Sequence, residues 1–444
     1  MKHLSSSIIL LLGIFSCFTV YSQGFGLTSY TTDTSFLGAF DNFPENDEAR
    51  RLQVDGIFAP LFELIKAGRR IIYQNSYGTE VIYEVKETKD YLYIIFANRD
   101  RHGSYDLPSK GDYIIKRSRK NGKFLQLKVF IRDDTGSFVR IYPDGDRSIM
   151  DLYIYGFSLY KGVIVPARFK DILTMKFQRV ALMTEGIIDW KLLLYKGSPE
   201  DEDIRIMADK IREALPRLKD ADDGALDEKG NFVYIETEKP QIESSSKEKE
   251  IGGFNCSGFA KWIADGLYFE LTGKLLDIKN LKRKELEYRG NRWSKRYEDE
   301  RDPYFGLDWS RNLAVKLEEV RLGKKIDDPE AMDVRDDRYI PYIEDVGYPV
   351  KDLKFLLFYL TRKNPGFFYI GSVNREFGRD PVLRQHFHVV VIFPYFDRSG
   401  NFRVTVMERN VETSIESLFK RYGENYIHLV KVKADKKFIP LLFE

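Results

Sequence analysis

A period of two in the apolar residues dominates the first half of the chain, after a short segment with helical spacing. Residues 48–66 carry an apolar stripe typical of a helix, and Pro60 predicts a kink within it. From about residue 70 apolar and polar positions alternate, as in the run 125–131, where every second residue is apolar. The predicted strands are Arg70–Gln74, Val81–Val85, Tyr91–Ala97, Tyr113–Arg117, Leu125–Arg132, Phe138–Tyr142, Met150–Tyr155 and Ile187–Tyr195. This pattern predicts an antiparallel β-rich domain over residues 25–195, built as a curved sheet or small barrel.

Helical spacing returns after this region. Ser198 and Pro199 have the residue types of an N-cap and a first helical position, and an apolar stripe follows them. Polar and acidic residues then prevail, so residues 196–250 are interpreted as a helix and a polar linker between two domains. Beyond the linker, the pattern predicts a buried amphipathic helix from Phe259 onward and further helices over Trp309–Leu322 and Val350–Thr361. The chain as a whole is therefore expected to be α+β.

Composition narrows the class of protein. The chain has 444 residues, of which 43% are hydrophobic and 31% are charged, which indicates a globular protein of two or three domains. The formal net charge is only +2, so charge gives no argument for a nucleic-acid partner. No run after the N-terminus is apolar enough to predict an integral membrane segment.

The N-terminus predicts export. Residues 1–22 have a short basic start, an apolar stretch and a small residue at the end, which is the pattern of a secretory signal cleaved after Ser22. An alternative is a lipid anchor on Cys17, because residues 14–17 resemble a loose lipobox. Either reading predicts a protein of the periplasm or cell surface.

The predicted removal of the signal segment bears on the role of Cys256. The chain has two cysteines, so loss or lipidation of Cys17 leaves Cys256 without a disulfide partner. Cys256 follows Gly252-Gly253 and sits at the predicted start of an apolar helix, where unpaired N–H groups and the helix dipole favour a thiolate. A nucleophilic cysteine is therefore the hypothesis to test, against the alternative of a small buried residue.

A nucleophilic cysteine needs a base within hydrogen-bond reach. His388 opens a strongly apolar predicted strand, which would hold its ring rigidly at the mouth of a cleft. His386 lies on the same face of that strand, so a two-histidine metal site is an alternative. His428 lies within another predicted strand and is interpreted as a buried structural residue.

The segment Asn-Cys-Ser-Gly-Phe at 255–259 resembles the Asp-Cys-Ser-Gly-Phe/Leu signature of the NlpC-type cysteine peptidases, a papain-like superfamily of exported bacterial cell-wall endopeptidases. The order of elements is also similar: a cysteine helix, a Pro-Gly-led strand at 365–370, a histidine-led strand at 388–392 and a hairpin return. The resemblance implies a papain-like α+β domain over residues 251–444. Because 132 positions separate Cys256 from His388, it also implies that the charged segment 279–345 is an insertion.

The same resemblance implies roles for individual residues. His388 would be the general base, and a polar residue on the next strand, Glu408 or Asn410, would orient it, with Glu408 slightly preferred. Asn255 and Ser257 would lie at the oxyanion or substrate position beside the backbone N–H of Cys256.

The function expected from these features is hydrolysis of amide bonds by an exported cysteine hydrolase. The expected partner is a peptidoglycan stem peptide or another envelope peptide, and the chemistry requires no metal or cofactor. One alternative is acyl transfer of the transglutaminase type, with Asp397 or Glu408 as the acid. Another is a non-catalytic envelope protein that keeps a papain-like fold for binding. The sequence does not indicate an oligomeric state.

Overall fold

The computed structural model describes residues 38, 40–41, 43–99, 103–105, 108–241, 252–283, 304, 306–336, 338–380 and 382–442. The predicted signal segment, Cys17 and residues 284–303 of the charged segment lie outside these ranges. Residues Phe36–Glu444 form one compact unit. Among the described helices, none has the length and apolar character needed to cross a membrane.

Helices are distributed along the whole of this unit. The α-helices found in the described residues are α1 (Asp47–Leu52), α2 (Val54–Phe58), α3 (Leu61–Leu64), α4 (Phe169–Ile172), α5 (Phe177–Leu182), α6 (Trp190–Leu193), α7 (Asp201–Ala214), α8 (Cys256–Thr272), α9 (Ile278–Leu281), α10 (Leu307–Leu322), α11 (Leu353–Lys363) and α12 (Ile415–Tyr422). Short 3₁₀ turns cover Leu215–Arg217 and Val350–Asp352. The helix predicted over 48–66 is divided into α1, α2 and α3, and Pro60 precedes the last of these.

An antiparallel sheet of eight strands in sequential order forms the N-terminal region and confirms the predicted α+β class. Its strands are β1 (Arg69–Gln74), β2 (Thr79–Glu87), β3 (Tyr91–Asn98), β4 (Tyr113–Ser118), β5 (Phe124–Phe130), β6 (Phe138–Asp144), β7 (Arg147–Ile154) and β8 (Phe157–Val165). The prediction of a strand over 187–195 is wrong, because that segment contains the short helix α6. Asp189 caps this helix by accepting a hydrogen bond from the backbone N–H of Leu192 at 2.9 Å.

A second antiparallel sheet contains six strands, namely β11 (Tyr348–Pro349), β12 (Phe367–Phe377), β13 (Leu383–Phe396), β14 (Phe402–Glu408), β15 (Val411–Ser414) and β16 (Tyr426–Lys433). Their order across the sheet is β11-β16-β12-β13-β14-β15. Both faces of β13 are covered: Val390 and Ile392 belong to one hydrophobic core, and Val389 and Val391 belong to another. Burial on both faces explains why β13 is a continuous apolar run in the sequence.

The first core joins the two sheets, and the second core surrounds α8. In the first, residues of the eight-stranded sheet pack with α11 and the second sheet, and the rings of Phe157 and Phe355 stack at 4.5 Å. In the second, α7, α8 and α10 cover the opposite face of the six-stranded sheet. The first core crosses the domain boundary expected within residues 196–250, and that boundary stays a prediction.

The described part of the expected linker is packed rather than extended. Residues 219–241 contain a small hairpin of β9 (Ala225–Leu226) and β10 (Phe232–Val233), and its apolar side chains enter the second core. The hairpin lies against the start of α8: an added Cβ at Gly258 would lie 1.7 Å from the carbonyl oxygen of Gly224. Glycine at 258 is therefore what allows this close approach.

Candidate active site

The cysteine lies at the first position of α8. Asn255 is the N-cap, and its Oδ1 accepts a hydrogen bond from the backbone N–H of Gly258 at 2.7 Å. The helix was expected to be amphipathic, but every residue from Cys256 to Leu267 is buried. The two charged side chains in this stretch, Lys261 and Asp265, form an ion pair at 2.7 Å within the core. The thiol thus lies at the positive end of a helix that is buried from Cys256 to Leu267.

The imidazole is that of His388 in β13, which lies next to a bulge in the pairing with β12 and beyond the last pair with β14. The register between β12 and β13 shifts beside Phe387, so that a β-bulge separates His386 from His388. Pairing between β13 and β14 begins only at Val391, two residues beyond Val389. The side chain of His388 and the backbone of Val389 both lower the pKa of the Cys256 thiol, so both lie beside its sulfur. The thiol therefore lies beside the part of β13 that extends past the paired end of β14.

Two further side chains extend this contact. Nε2 of His388 is 2.7 Å from Oε2 of Glu408, the last residue of β14. Because Nε2 is engaged by Glu408, Nδ1 is the ring nitrogen left for the sulfur of Cys256. Arg421 of α12 donates to the same carboxylate with both terminal nitrogens, with Nη1 at 2.9 Å from Oε2. The result is a continuous chain of contacts from Cys256 through His388 and Glu408 to Arg421.

The electrostatics favour an ion pair of thiolate and imidazolium. Burial raises the pKa of the Cys256 thiol, but the hydrogen bond and charge of His388 outweigh this and hold that pKa below its ordinary value. Burial lowers the pKa of His388, yet its bonds to Cys256 and Glu408 raise it to about 9. Burial alone would raise the pKa of Glu408. The hydrogen bonds and positive charges of His388 and Arg421 outweigh burial, so the pKa of this carboxyl is lowered. A lowered thiol pKa is what a cysteine nucleophile requires.

A cleft of about 620 Å³ opens beside this chain of contacts. The residues that line it are Asp220, Phe387, His388, Glu408, Arg409, Asn410, Val411, Thr413, Arg421 and Tyr422. The ring of Tyr422 lies 5.7 Å from the ring of His388. Cys256 is not part of the lining and is only 1% exposed. Cys256 is therefore almost completely covered in this structure.

The other predicted site residues have different surroundings. Asn410 lines the cleft, and neither atom of its side-chain amide has a hydrogen-bond partner in the described part of the chain. Asn255 is occupied as the N-cap, with its Nδ2 3.5 Å from Asp223. Ser257 is fully buried, and its Oγ also has no partner within the described ranges. The oxyanion or substrate roles of Asn255 and Ser257 stay predictions.

Asp397, the alternative acid, holds a turn. Its Oδ1 accepts from the backbone N–H groups of Ser399 and Asn401, each at 2.9 Å. Its Oδ2 accepts from Arg403 at 3.1 Å. Its hydrogen bonds thus go to the turn between β13 and β14, and Glu408 is the acid that contacts His388.

The remaining histidines after Cys256 are bound elsewhere. Nε2 of His386 lies 3.2 Å from the carbonyl oxygen of Asp345. His428 is fully buried, and its Nε2 is 3.0 Å from the hydroxyl of Tyr342 and 3.4 Å from Asp333. One group of three ligand-type side chains within the described residues is close enough for a metal, namely Glu330, Glu344 and Asp345, and it contains no histidine.

Two residues that act on the site, Arg421 and Arg409, are not indicated by the sequence. Arg421 lies near the C-terminus of a short helix, where a basic residue is expected simply to interact with the helix dipole. Arg409 lies in a two-residue turn, and its charge helps to lower the pKa of the Cys256 thiol. Neither position carries a local signal, because each acquires its role from the tertiary arrangement.

The comparisons with known proteins concern mainly the N-terminal sheet. The model of a domain of unknown function, DUF8515, matches residues 39–192, which hold the eight-stranded sheet. Cys256, His388 and Glu408 lie outside that match. No curated protein and no solved structure matches the chain.

Proposed function

We propose that this protein is an exported cysteine hydrolase that cleaves amide bonds. The observation that carries the proposal is the contact chain of Cys256, His388, Glu408 and Arg421 beside a cleft. Each member has the chemistry that its place requires: a nucleophile, a base and an acid that orients the base. Arg421 adds a bidentate contact that fixes the acid.

The reaction follows from this arrangement. The thiolate of Cys256 attacks the amide carbonyl carbon, a C–S bond forms, and the carbonyl electron pair moves onto oxygen. The backbone N–H of Cys256 lies in the first turn of the helix, where N–H groups have no intrahelical acceptor, and it donates to this oxyanion. His388 then transfers its proton to the leaving nitrogen, the C–N bond breaks, and a thioester remains.

Water completes the cycle. His388, now neutral, takes a proton from the water that attacks the thioester carbonyl. The C–S bond breaks, the carboxylic acid leaves, and the thiolate and imidazolium are restored. Glu408 keeps the ring of His388 in one orientation through both halves of the reaction.

The proposed substrates are peptidoglycan stem peptides. This rests on the resemblance of residues 255–259 to the NlpC-type cysteine peptidases and on the signal-like residues 1–22. In this proposal the β-rich region serves as a docking module for the cell envelope.

Digestion of purified peptidoglycan tests the proposal. Mature protein should release peptide fragments that mass spectrometry detects, and the Cys256→Ala variant should release none. Equal products from both would overturn the proposal. An added primary amine separates hydrolysis from acyl transfer, because a transferase would incorporate the amine into the product.

A non-catalytic envelope-binding protein is the second candidate, and the 1% exposure of Cys256 favours it. Alkylation by iodoacetamide distinguishes the two. A catalytic thiolate is labelled well below pH ~8.5, where an ordinary cysteine begins to ionise. Labelling that begins only in alkali would favour the binding protein.

A further inference from the structure

One edge of the cleft is a tight turn with an unusual backbone. Arg409 and Asn410 form the two-residue connection between β14 and β15, since Glu408 pairs directly with Val411. Arg409 has a φ of 52°, in the left-handed region that favours glycine. A two-residue hairpin turn requires such an angle at its first residue, so the turn itself explains this conformation. The turn therefore holds Arg409 and Asn410 at a fixed place on the edge of the cleft.

The guanidinium of Arg409 is held weakly. Its Nη1 is 2.9 Å from Asp220, and the two side chains are 43% and 55% exposed. Ion pairs between such exposed groups contribute little to stability, so another carboxylate can replace Asp220 at small cost. Both residues line the cleft. The cationic side chain of Arg409, whose partner Asp220 can be exchanged, thus lies at the edge of the cleft.

The adjacent amide has no partner. Both side-chain polar atoms of Asn410 are buried, and neither is hydrogen bonded within the described part of the chain. Buried polar groups are almost always paired, so this amide keeps hydrogen-bonding capacity that the described residues do not use. The amide offers one acceptor and a pair of donors, which matches the C=O and N–H of a peptide group.

We propose that the Arg409–Asn410 turn is a substrate subsite for an acidic peptide. Arg409 exchanges Asp220 for a carboxylate of the substrate, and Asn410 bonds a peptide group of the same chain. This inference rests on the proposed function, because it names the class of substrate presented to Cys256. The substrate is a peptide that carries a carboxylate close to the scissile amide.

Two alkylating agents of nearly equal shape test the carboxylate site without turnover. Iodoacetate and iodoacetamide each lose iodide as the Cys256 thiolate forms a C–S bond, and only iodoacetate is an anion. The ratio of their rates cancels changes in thiol reactivity. Arg409→Gln should lower the iodoacetate-to-iodoacetamide ratio by about tenfold, the loss expected for one charge-assisted hydrogen bond. Asp220→Asn should raise the ratio, because the competing carboxylate is removed.

Arg403→Gln is the matched control, because Arg403 is 58% exposed and binds Asp397 in a turn that is not part of the cleft lining. Its ratio should equal that of the parent protein. Arg409→Lys should keep an intermediate ratio, since it retains the charge without the planar fork. Equal ratios in the parent, Arg409→Gln and Asp220→Asn proteins would overturn the inference.

Calorimetry on the Cys256→Ala protein tests the amide. The probes are acetyl-Ala-Glu-Ala-amide and acetyl-Ala-Gln-Ala-amide, which differ only in one charge. The Glu peptide should bind about tenfold more tightly than the Gln peptide. Introducing Arg409→Gln into the Cys256→Ala protein should abolish that difference. Added Asn410→Ala should weaken both peptides equally. Absent binding, or equal binding of the two peptides, would overturn the subsite. A carboxylate preference without peptidoglycan cleavage would instead overturn the proposed function alone.

Discussion

Replacing Glu408 with Gln tests whether the carboxylate sets the reactivity of the thiol. Gln keeps the shape of Glu408 but removes its charge. Its amide N–H₂ would also face Arg421, which donates to this position with both terminal nitrogens. Loss of the carboxylate should destabilise the protonated ring of His388, because the bond between them is charge-assisted. The thiolate of Cys256 then loses the cation that stabilises it.

The size of the effect follows from the site. An ordinary imidazole has a pKa of 6.5, whereas that of His388 is raised to about 9. This difference corresponds to about 3 kcal/mol in favour of the protonated ring, shared between Cys256 and Glu408. A hydrogen bond to a charged group contributes about 1.5–3 kcal/mol, so we take about 1.5 kcal/mol as the share lost in Glu408→Gln. The pKa of the Cys256 thiol should then rise by about one pH unit.

Labelling by iodoacetamide as a function of pH measures this rise. Intact mass gives the extent of modification after a fixed time, and the midpoint of the profile gives the apparent pKa of the thiol. The parent protein should show a midpoint well below the ordinary thiol value, and the Glu408→Gln profile should lie about one pH unit higher. The rate of peptide cleavage near neutral pH should fall at least tenfold in parallel.

Glu412→Gln is the control. Glu412 lies on β15 and pairs with Arg212, with Nη2 at 2.8 Å from Oε1, just as Glu408 pairs with Arg421. The substitution therefore breaks a similar ion pair outside the cleft lining, and the labelling profile should not move. An unchanged profile in Glu408→Gln, or an equal change in Glu412→Gln, would refute the reasoning.

Further predictions concern the support of the site, the packing of the helix start, and pH. Arg421→Met should lower cleavage about tenfold and raise the pKa of its carboxylate partner, measurable in the pH profile of activity; an unaltered profile would count against a positioning role. Gly258→Ala should destabilise the protein by about 3 kcal/mol in urea unfolding, whereas Gly186→Ala, in open space, should change stability by less than about 0.5 kcal/mol. Burial would raise the pKa of Asp333, but His428 and Arg311 hold this pKa at about 2. The contribution of the Asp333 carboxylate to the free energy of unfolding should be complete above pH 3.8 and lost as the pH falls towards 2. Asp333→Asn should therefore remove about 2 kcal/mol of the pH dependence of stability in this range. Activity should decline above about pH 9, where His388 loses its proton.

Much of the N-terminal sheet was predictable because strands such as β4 and β7 are buried on alternate residues. Seven of the predicted strands have counterparts in β1 to β7. β8 was missed because most of its residues are half-buried or exposed, so its alternation is weak. The segment 187–195 resembles a strand because it is apolar on both faces, but it contains a short helix that Asp189 caps.

The site was predictable only in part. The cysteine motif is local, because an N-cap, a small residue and an apolar helix follow one another in sequence. The pairing of His388 with Glu408 depends on adjacent strands, which a hairpin pattern indicates. Neither Arg421 nor the hairpin of residues 219–241 could be predicted. Both are polar in sequence, which indicates solvent exposure, and their contacts form only in the folded chain.

The most direct test of the account is the mass of the enzyme during turnover. Mature protein mixed with a stem-peptide substrate and quenched in acid should carry an added mass equal to the acyl half of the substrate. Fragmentation should locate this mass on Cys256, as a thioester that neutral hydroxylamine removes. Substrate cleavage without any acyl adduct on Cys256, or with the adduct on another residue, would contradict the central claim.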